Sequence, residues 1–209
     1  MTQANRIPVL MLSVTGLILI WSAINPFDRF TWWLEVAPVL IVVPLLIGTY
    51  RRFRLTDLLY VLIAIHAAIL MVGGHYTYAN VPLFNLIQEW TGSARNSYDG
   101  VGHFAQGFIP AIVARELLLR TSTLSAGRWL AVIIVMGCLG ISAIYEIIEW
   151  TVAAMTGDNA EEFLGTQGDP WDTQKDMALA GIGAIVAQLL LNRLHDRQLL
   201  KLKVSISHV

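Results

Sequence analysis

The sequence predicts an all-α, polytopic membrane protein, a six-transmembrane-helix bundle with both termini cytoplasmic. Three observations lead there. Hydrophobic residues make up 56% of the 209 positions and charged residues only 14%, where a soluble domain carries about 25% charge. The apolar residues gather into six runs near the length of about 20 that takes a helix across a bilayer. The Lys and Arg residues fall almost entirely on one side of those runs once the chain is threaded back and forth.

The spans follow in order as one integral membrane domain over 1–209, without a fixed repeat or low-complexity tract. The first, 8–24, follows Arg6 and resembles a signal peptide in charge. No small-residue cleavage site follows it, and Asn25-Pro26-Phe27-Asp28 reads as a turn. The second, 33–50, holds Pro38 and Pro44, which membrane helices accept when neighbours satisfy the freed carbonyls. The third, 56–74, carries His66 mid-span, expected as a hydrogen-bonded core histidine. The fourth, 100–119, has Gly100, Gly102 and Gly107 for close approach of a neighbour and a kink at Pro110. The fifth, 128–154, contains the single cysteine, Cys138, which has no disulfide partner in the chain and reads as packing. The sixth covers 172–193.

With the N-terminus inside, all the Lys and Arg except Arg29, Arg95 and Lys175 lie on the cytoplasmic side, and all the acids except Asp57, Glu116 and Asp196 lie outside. Trp21, Trp32, Trp33, Trp90, Trp150 and Trp171 then collect near the outer interface, where aromatic belts form. Two outer loops are long. In 75–98, Leu83, Leu86, Ile87 and Trp90 have helical spacing, which predicts a short helix on the membrane surface or over the bundle. Residues 155–171 are acidic and Gly-rich, and Glu161 and Glu162 there read as solvated.

The same topology brings His75, Asp99, His103, Glu146, Glu149, Asp169, Asp172 and Asp176 to the outer ends of four spans. Ionisable groups at membrane depth are costly, so such a cluster is a functional-site hypothesis. Asp99 and His103 share a helix face at i, i+4, as do Asp172 and Asp176, and Glu146 and Glu149 stand at i, i+3. Bundles build carboxylate–imidazole metal sites from such pairs. Two carboxylates this close repel in low dielectric, so Glu146 and Glu149 need a cation, a shared proton or a basic partner. The candidate metal ligands are His103, Glu146, Glu149, Asp176 and His75. Asp99 and Asp172 are the candidate orienting carboxylates or bases. The donor set suits a divalent metal: Zn²⁺, Mn²⁺, Fe²⁺ or Mg²⁺. Structural readings stand beside these. Asp169 before Pro170 has the pattern of an N-cap with Pro at N1, Asp99 and Asp172 suit helix N-termini, His75 suits a loop, and Glu116 with Arg120 forms an i, i+4 pair at the cytoplasmic end.

Tyr98-Asp99-Gly100-Val101-Gly102-His103-Phe104, Ala114-Arg115-Glu116, Tyr145-Glu146-Ile147-Ile148-Glu149-Trp150 and Gln167-Gly168-Asp169-Pro170-Trp171-Asp172-Thr173-Gln174-Lys175-Asp176-Met177 resemble the YjdF-like inner-membrane proteins of bacteria. That resemblance implies the class and the bacterial inner membrane, and no reaction. In short motifs the chain also resembles VanZ-like membrane proteins, which share an Asp/His pair opening one helix and an acidic helix after it. They are associated with glycopeptide resistance and the cell envelope.

Two function classes follow, with a third beside them. The first is a metal-dependent hydrolase or transferase at the outer leaflet, acting on a lipid or lipid-linked envelope molecule. The second is an ion or small-molecule transporter, although the polar residues cluster in the outer half. The third is a non-catalytic binding or assembly protein held together by its polar cluster. Membrane lipid is the expected partner, and nucleic acid is not.

Overall fold

The structure is a computed structural model that describes residues 5–156 and 166–202. Among these residues it holds seven α-helices, one 3₁₀ turn and no strand: α1 (Arg6–Ser22), α2 (Arg29–Thr49), α3 (Asp57–Tyr76), the turn Tyr78–Asn80, α4 (Pro82–Thr91), α5 (Tyr98–Thr121), α6 (Arg128–Thr156) and α7 (Asp172–Lys201). Each of the six apolar runs is a helix. α2, α3, α6 and α7 are long and apolar enough to cross a bilayer. α1 is apolar but has 17 residues, about 26 Å at 1.5 Å per residue. α5 is long enough, at 24 residues, but carries Asp99, Arg115, Glu116 and Arg120. Glu161 and Glu162 lie outside the described residues.

The short helix expected in the 75–98 loop is α4. Pro82 opens it, Gly92 closes it at φ 65°, and none of its residues is buried. Leu83, Leu86 and Trp90 are exposed on it, a pattern suited to the bilayer interface.

Small residues join α5 to α7. A Cβ on Gly107 would overlap the carbonyl oxygen of Ala180, and one on Gly183 that of Phe104. Ala111, Ala180, Ala184 and Ala187 are fully buried along the same seam, so the two backbones approach closely as small residues allow. α6 lays a stripe of Leu130, Ile134, Cys138, Ser142 and Glu146, each four apart, against this pair. The Cys138 thiol points at the Gly107 carbonyl, 3.6 Å away. Leu55, Leu59, Ile109, Ile112, Ile134 and Cys138 centre the larger core. Trp32, Val36, Val39, Ala67 and Met71 centre a smaller one, where α2 packs on α3. Leu17, Ile20, Ile41, Ile144 and Leu189 are among many large apolar side chains left exposed, as expected of a surface whose solvent is hydrocarbon.

The helices alternate in direction, which gives the bundle two ends. At one, Phe27 N donates to His75 O and the His75 ring reaches Ser22 O. At the other, a network surrounds the fully buried Glu116 and His195. Glu116 accepts from Thr56 Oγ1 at 2.8 Å, Arg120 Nη1 at 2.6 Å and His195 Nε2 at 2.9 Å. Arg115 Nη1 stands 2.8 Å from His195 Nδ1, and its Nη2 2.7 Å from Asp196 Oδ1. A guanidinium only donates, so Nδ1 accepts and the ring proton sits on Nε2, aimed at Glu116. The i, i+4 pair of Glu116 and Arg120 is therefore part of a larger knot that ties α5 to α7 and to the start of α3.

Candidate functional site

Asp99, His103 and Gly107 are successive steps of four on α5, so the stripe that meets α7 at Gly107 carries Asp99 and His103 at its upper end. On α7, Asp176, Ala180 and Ala184 form the matching stripe. The close backbone contact thus brings His103 and Asp176 together. The α6 stripe ends in Glu146, with Glu149 one turn on. Asp99, His103, Glu146, Glu149 and Asp176 are each no more than 8% exposed.

His103 is the centre. Nε2 lies 3.4 Å from Asp99 Oδ1 and 3.9 Å from Asp176 Oδ2, and Nδ1 lies 3.7 Å from Glu146 Oε1. Nδ1 is also 3.2 Å from Gln106 Oε1, one turn along the helix. With the amide oxygen assigned towards the ring, Nδ1 carries the hydrogen and donates it to Gln106. Nε2 then turns a lone pair towards two carboxylates. That arrangement needs a cation or a second proton between them. Asp176 Oδ1 and Glu146 Oε1 are buried without a hydrogen-bond partner, and orphaned acceptors of this kind are rare in folded proteins.

One ligand atom from each of Asp99, His103 and Asp176 lies within 4.8 Å of the others. A tetrahedral shell at about 2.1 Å sets its ligands about 3.4 Å apart. The Asp99 distance matches that spacing, and the Asp176 distance requires a contraction of about 0.5 Å. One imidazole with two carboxylates, and more carboxylates in reach, suits Zn²⁺, Mn²⁺, Fe²⁺ or Mg²⁺. A hydrogen bond from the distal ring nitrogen is the usual way a ligand imidazole is oriented, and Gln106 makes that contact here.

The remaining candidates sit around this centre or away from it. Asp172 is paired with Arg95, whose Nη1 also reaches Asp169 Oδ2 at 3.3 Å and Thr166 O at 3.4 Å. Asp169 is not the helix cap its sequence context predicts. α7 starts at Asp172, and Asp169 Oδ1 accepts from Trp171 N at 3.0 Å, two residues on. Its other oxygen is drawn off by Arg95 and Lys175. The Lys175 hydrogen bond, with the bond from Trp171 N, holds the Asp169 carboxyl below its ordinary 3.8. His75 lies with Ser22 and packs against Trp21, ring centroids 4.5 Å apart and tilted by 35°, and belongs to the α1–α3 contact.

A cavity of about 640 Å³ begins at this site. Glu35, Tyr78, Asp99, His103, Tyr145 and Glu149 line its polar end. The Tyr78 ring there is clamped between Gly73 and Gly102, where a Cβ on either would press into it. His66 lines the cavity too, without a hydrogen-bond partner among the described residues. It is not the satisfied core histidine expected, because its face of α3 meets this space and not a packed neighbour.

Residues 7–197 match the family described as "Predicted membrane protein (DUF2238)". The chain belongs to this family. It is also 53% identical over 183 residues to the inner membrane protein YjdF of Escherichia coli (strain K12), covering 88% of each chain. No solved structure matches it. The family and the relative agree with the apolar helices in making this a protein of the bacterial inner membrane.

Two site residues were not singled out by sequence reasoning. Glu35 on α2 is 3% exposed and takes the Tyr145 hydroxyl at 3.4 Å. An acid inside an apolar run was the signal for it. Gln106 had the signal of standing three residues after His103. Arg95, a candidate basic partner for Glu146 and Glu149 in the sequence, pairs instead with Asp172 and Asp169.

Proposed function

We propose that this family member is a metal-dependent enzyme of the outer leaflet, acting on a lipid or lipid-linked envelope molecule. The observation that carries the proposal is the close approach of His103 Nε2 to both Asp99 and Asp176, beside the orphaned oxygens of Asp176 and Glu146. His103, Asp99 and Asp176 would hold the metal, with Glu146 and Glu149 as further ligands or as base. When bound, a divalent metal supplies Lewis-acid polarisation of a phosphoryl or acyl oxygen, or an activated water. Gln106 fixes the ring of His103, and Arg95 fixes Asp172 at the rim. The proposed topology has α1, α2, α3, α5, α6 and α7 crossing the membrane, α4 on the outer surface and both termini in the cytoplasm. The sidedness of Lys and Arg supports it. Against ion transport stand the apolar wall of the cavity and the partnered charges at the opposite end.

The test is metal analysis of the full chain purified without chelator. About one divalent ion per chain is expected. Asp176→Asn and His103→Ala should lose it at unchanged helical content. Glu146→Gln should lower both occupancy and melting temperature, since a bound metal stabilises the folded state by linkage. A metal-free protein whose melting is indifferent to chelator overturns the proposal. Reporter fusions after Arg54 and Ser122 should read cytoplasmic, and a fusion after Asn85 external.

A further inference from the structure

The cavity is longer than a catalytic site needs. Along α5 it follows one stripe, Asp99, His103, Gln106, Pro110, Val113 and Leu117, down to Thr121. Those 22 steps of 1.5 Å span about 33 Å, close to the whole hydrocarbon thickness of about 30 Å. Along α2 it follows Glu35, Val39, Val42 and Leu46 to Thr49, about 21 Å. Below the polar end the wall is almost wholly aliphatic, with His66 partway down. α2 packs chiefly on α3, which leaves a seam beside α5 and α6. The lining residues Leu45, Leu117 and Ile141 are 60%, 41% and 49% exposed. The slot therefore opens sideways, onto the surface that faces lipid.

We infer that this slot holds a single hydrocarbon chain of a bilayer lipid, with the lipid's polar end at the acid cluster around His103. The inference rests on the proposed function in taking that site as the polar end, and it names the substrate class of the same site. Three observations choose the occupant. The volume, about 640 Å³ along a slot that runs the length of α5, has room for a lipid hydrocarbon chain. The lateral opening admits a chain from the bilayer without exposing it to water. The polar end offers the buried carboxylates of Glu35, Asp99 and Glu149, which a headgroup or its counter-cation would satisfy.

The experiment is photo-crosslinking in phosphatidylethanolamine–phosphatidylglycerol vesicles holding the full chain and a phospholipid with a diazirine on one acyl chain. Adducts are mapped by mass spectrometry. They are expected on Val42, Val43, Val113 and Leu117, with a shallow diazirine labelling nearer Gln106 and a deep one nearer Thr49. Filling the slot with Val42→Trp and Val113→Trp should cut slot adducts about ten-fold, the loss that about 1.4 kcal/mol of overpacking produces. Ile133→Trp, on the exposed face of α6, should leave them unchanged. Should the double variant not fold, the depth series on the native chain decides alone. Adducts spread evenly over lipid-facing residues such as Leu17 and Val132, or independent of diazirine depth, overturn the inference. Slot adducts should persist after chelator treatment. A chain that proves metal-free yet keeps them therefore defeats the proposed chemistry and not the slot, and one that binds metal without them does the reverse.

Discussion

The Tyr145 hydroxyl donates to Glu35 Oε2 across 3.4 Å, and so joins α6 to α2 at the polar end of the cavity. Both residues are remote in sequence, and α2 is otherwise held mainly by α3. This bond is a fastening between two parts of the bundle.

Tyr145→Phe should loosen that fastening. Removing one hydrogen-bond partner of a buried group costs about 1–3 kcal/mol. A lower melting temperature in detergent is expected, with helical content retained. Glu35→Leu in the Tyr145→Phe background should cost less than Glu35→Leu alone, because the Tyr145 hydroxyl is no longer there to be orphaned. Additive losses in that double-mutant cycle would show that the two side chains do not interact.

The glycines of the bundle divide sharply. Gly107→Ala and Gly183→Ala drive a methyl into the backbone of the partner helix. Losses of about 1–3 kcal/mol are expected for such overpacking. Gly137 and Gly140 on α6 have nothing within 4 Å of an added Cβ. Alanine there should be neutral or stabilising by about 0.5–1 kcal/mol through helix propensity. Thermal unfolding of the four variants checks this, and equal effects at all four would contradict the α5–α7 contact.

Much of this was legible in the sequence because lipid imposes its own grammar. The apolar runs had to be helices, since only an internally bonded backbone survives in hydrocarbon. α4 was readable from the spacing of Leu83, Leu86 and Trp90. The shared depth of Asp99, His103 and Asp176 was readable from span boundaries and charge sidedness. Other features depend on partners far along the chain. Glu35 looked like a stray acid until Tyr145 was placed beside it, 110 positions away. His195 sits among Arg193, Asp196 and Arg197, beyond the end of the sixth apolar run, yet it is fully buried between Arg115 and Glu116. The cavity left no local trace, because it arises from how α2 leans on α3 and not from any residue pattern.

The Arg95–Asp169–Lys175 cluster should respond to acid. Asp169 has its folded-state pKa depressed below 3.8, chiefly by the Lys175 hydrogen bond. The sign follows: the contribution is fully present above 3.8 and is lost as the pH falls through the lower folded value. Melting temperature should therefore drop on acidification below that point, and Asp169→Asn should lose this part of the drop. An Asp169→Asn variant with the same acid profile as the native chain would separate the cluster from the pH response.

The sideways opening between Leu45, Leu117 and Ile141 also decides what concentration means for this protein. A molecule arriving through that gap is drawn from a two-dimensional solvent, and its occupancy follows its mole fraction among the surrounding amphiphiles. Water-phase titration then carries little information. Extra detergent acts as a diluent even when the number of ligand molecules in the tube is unchanged. Binding measured in micelles should weaken with total amphiphile, and curves collected at different detergent loads should coincide only when plotted against surface composition.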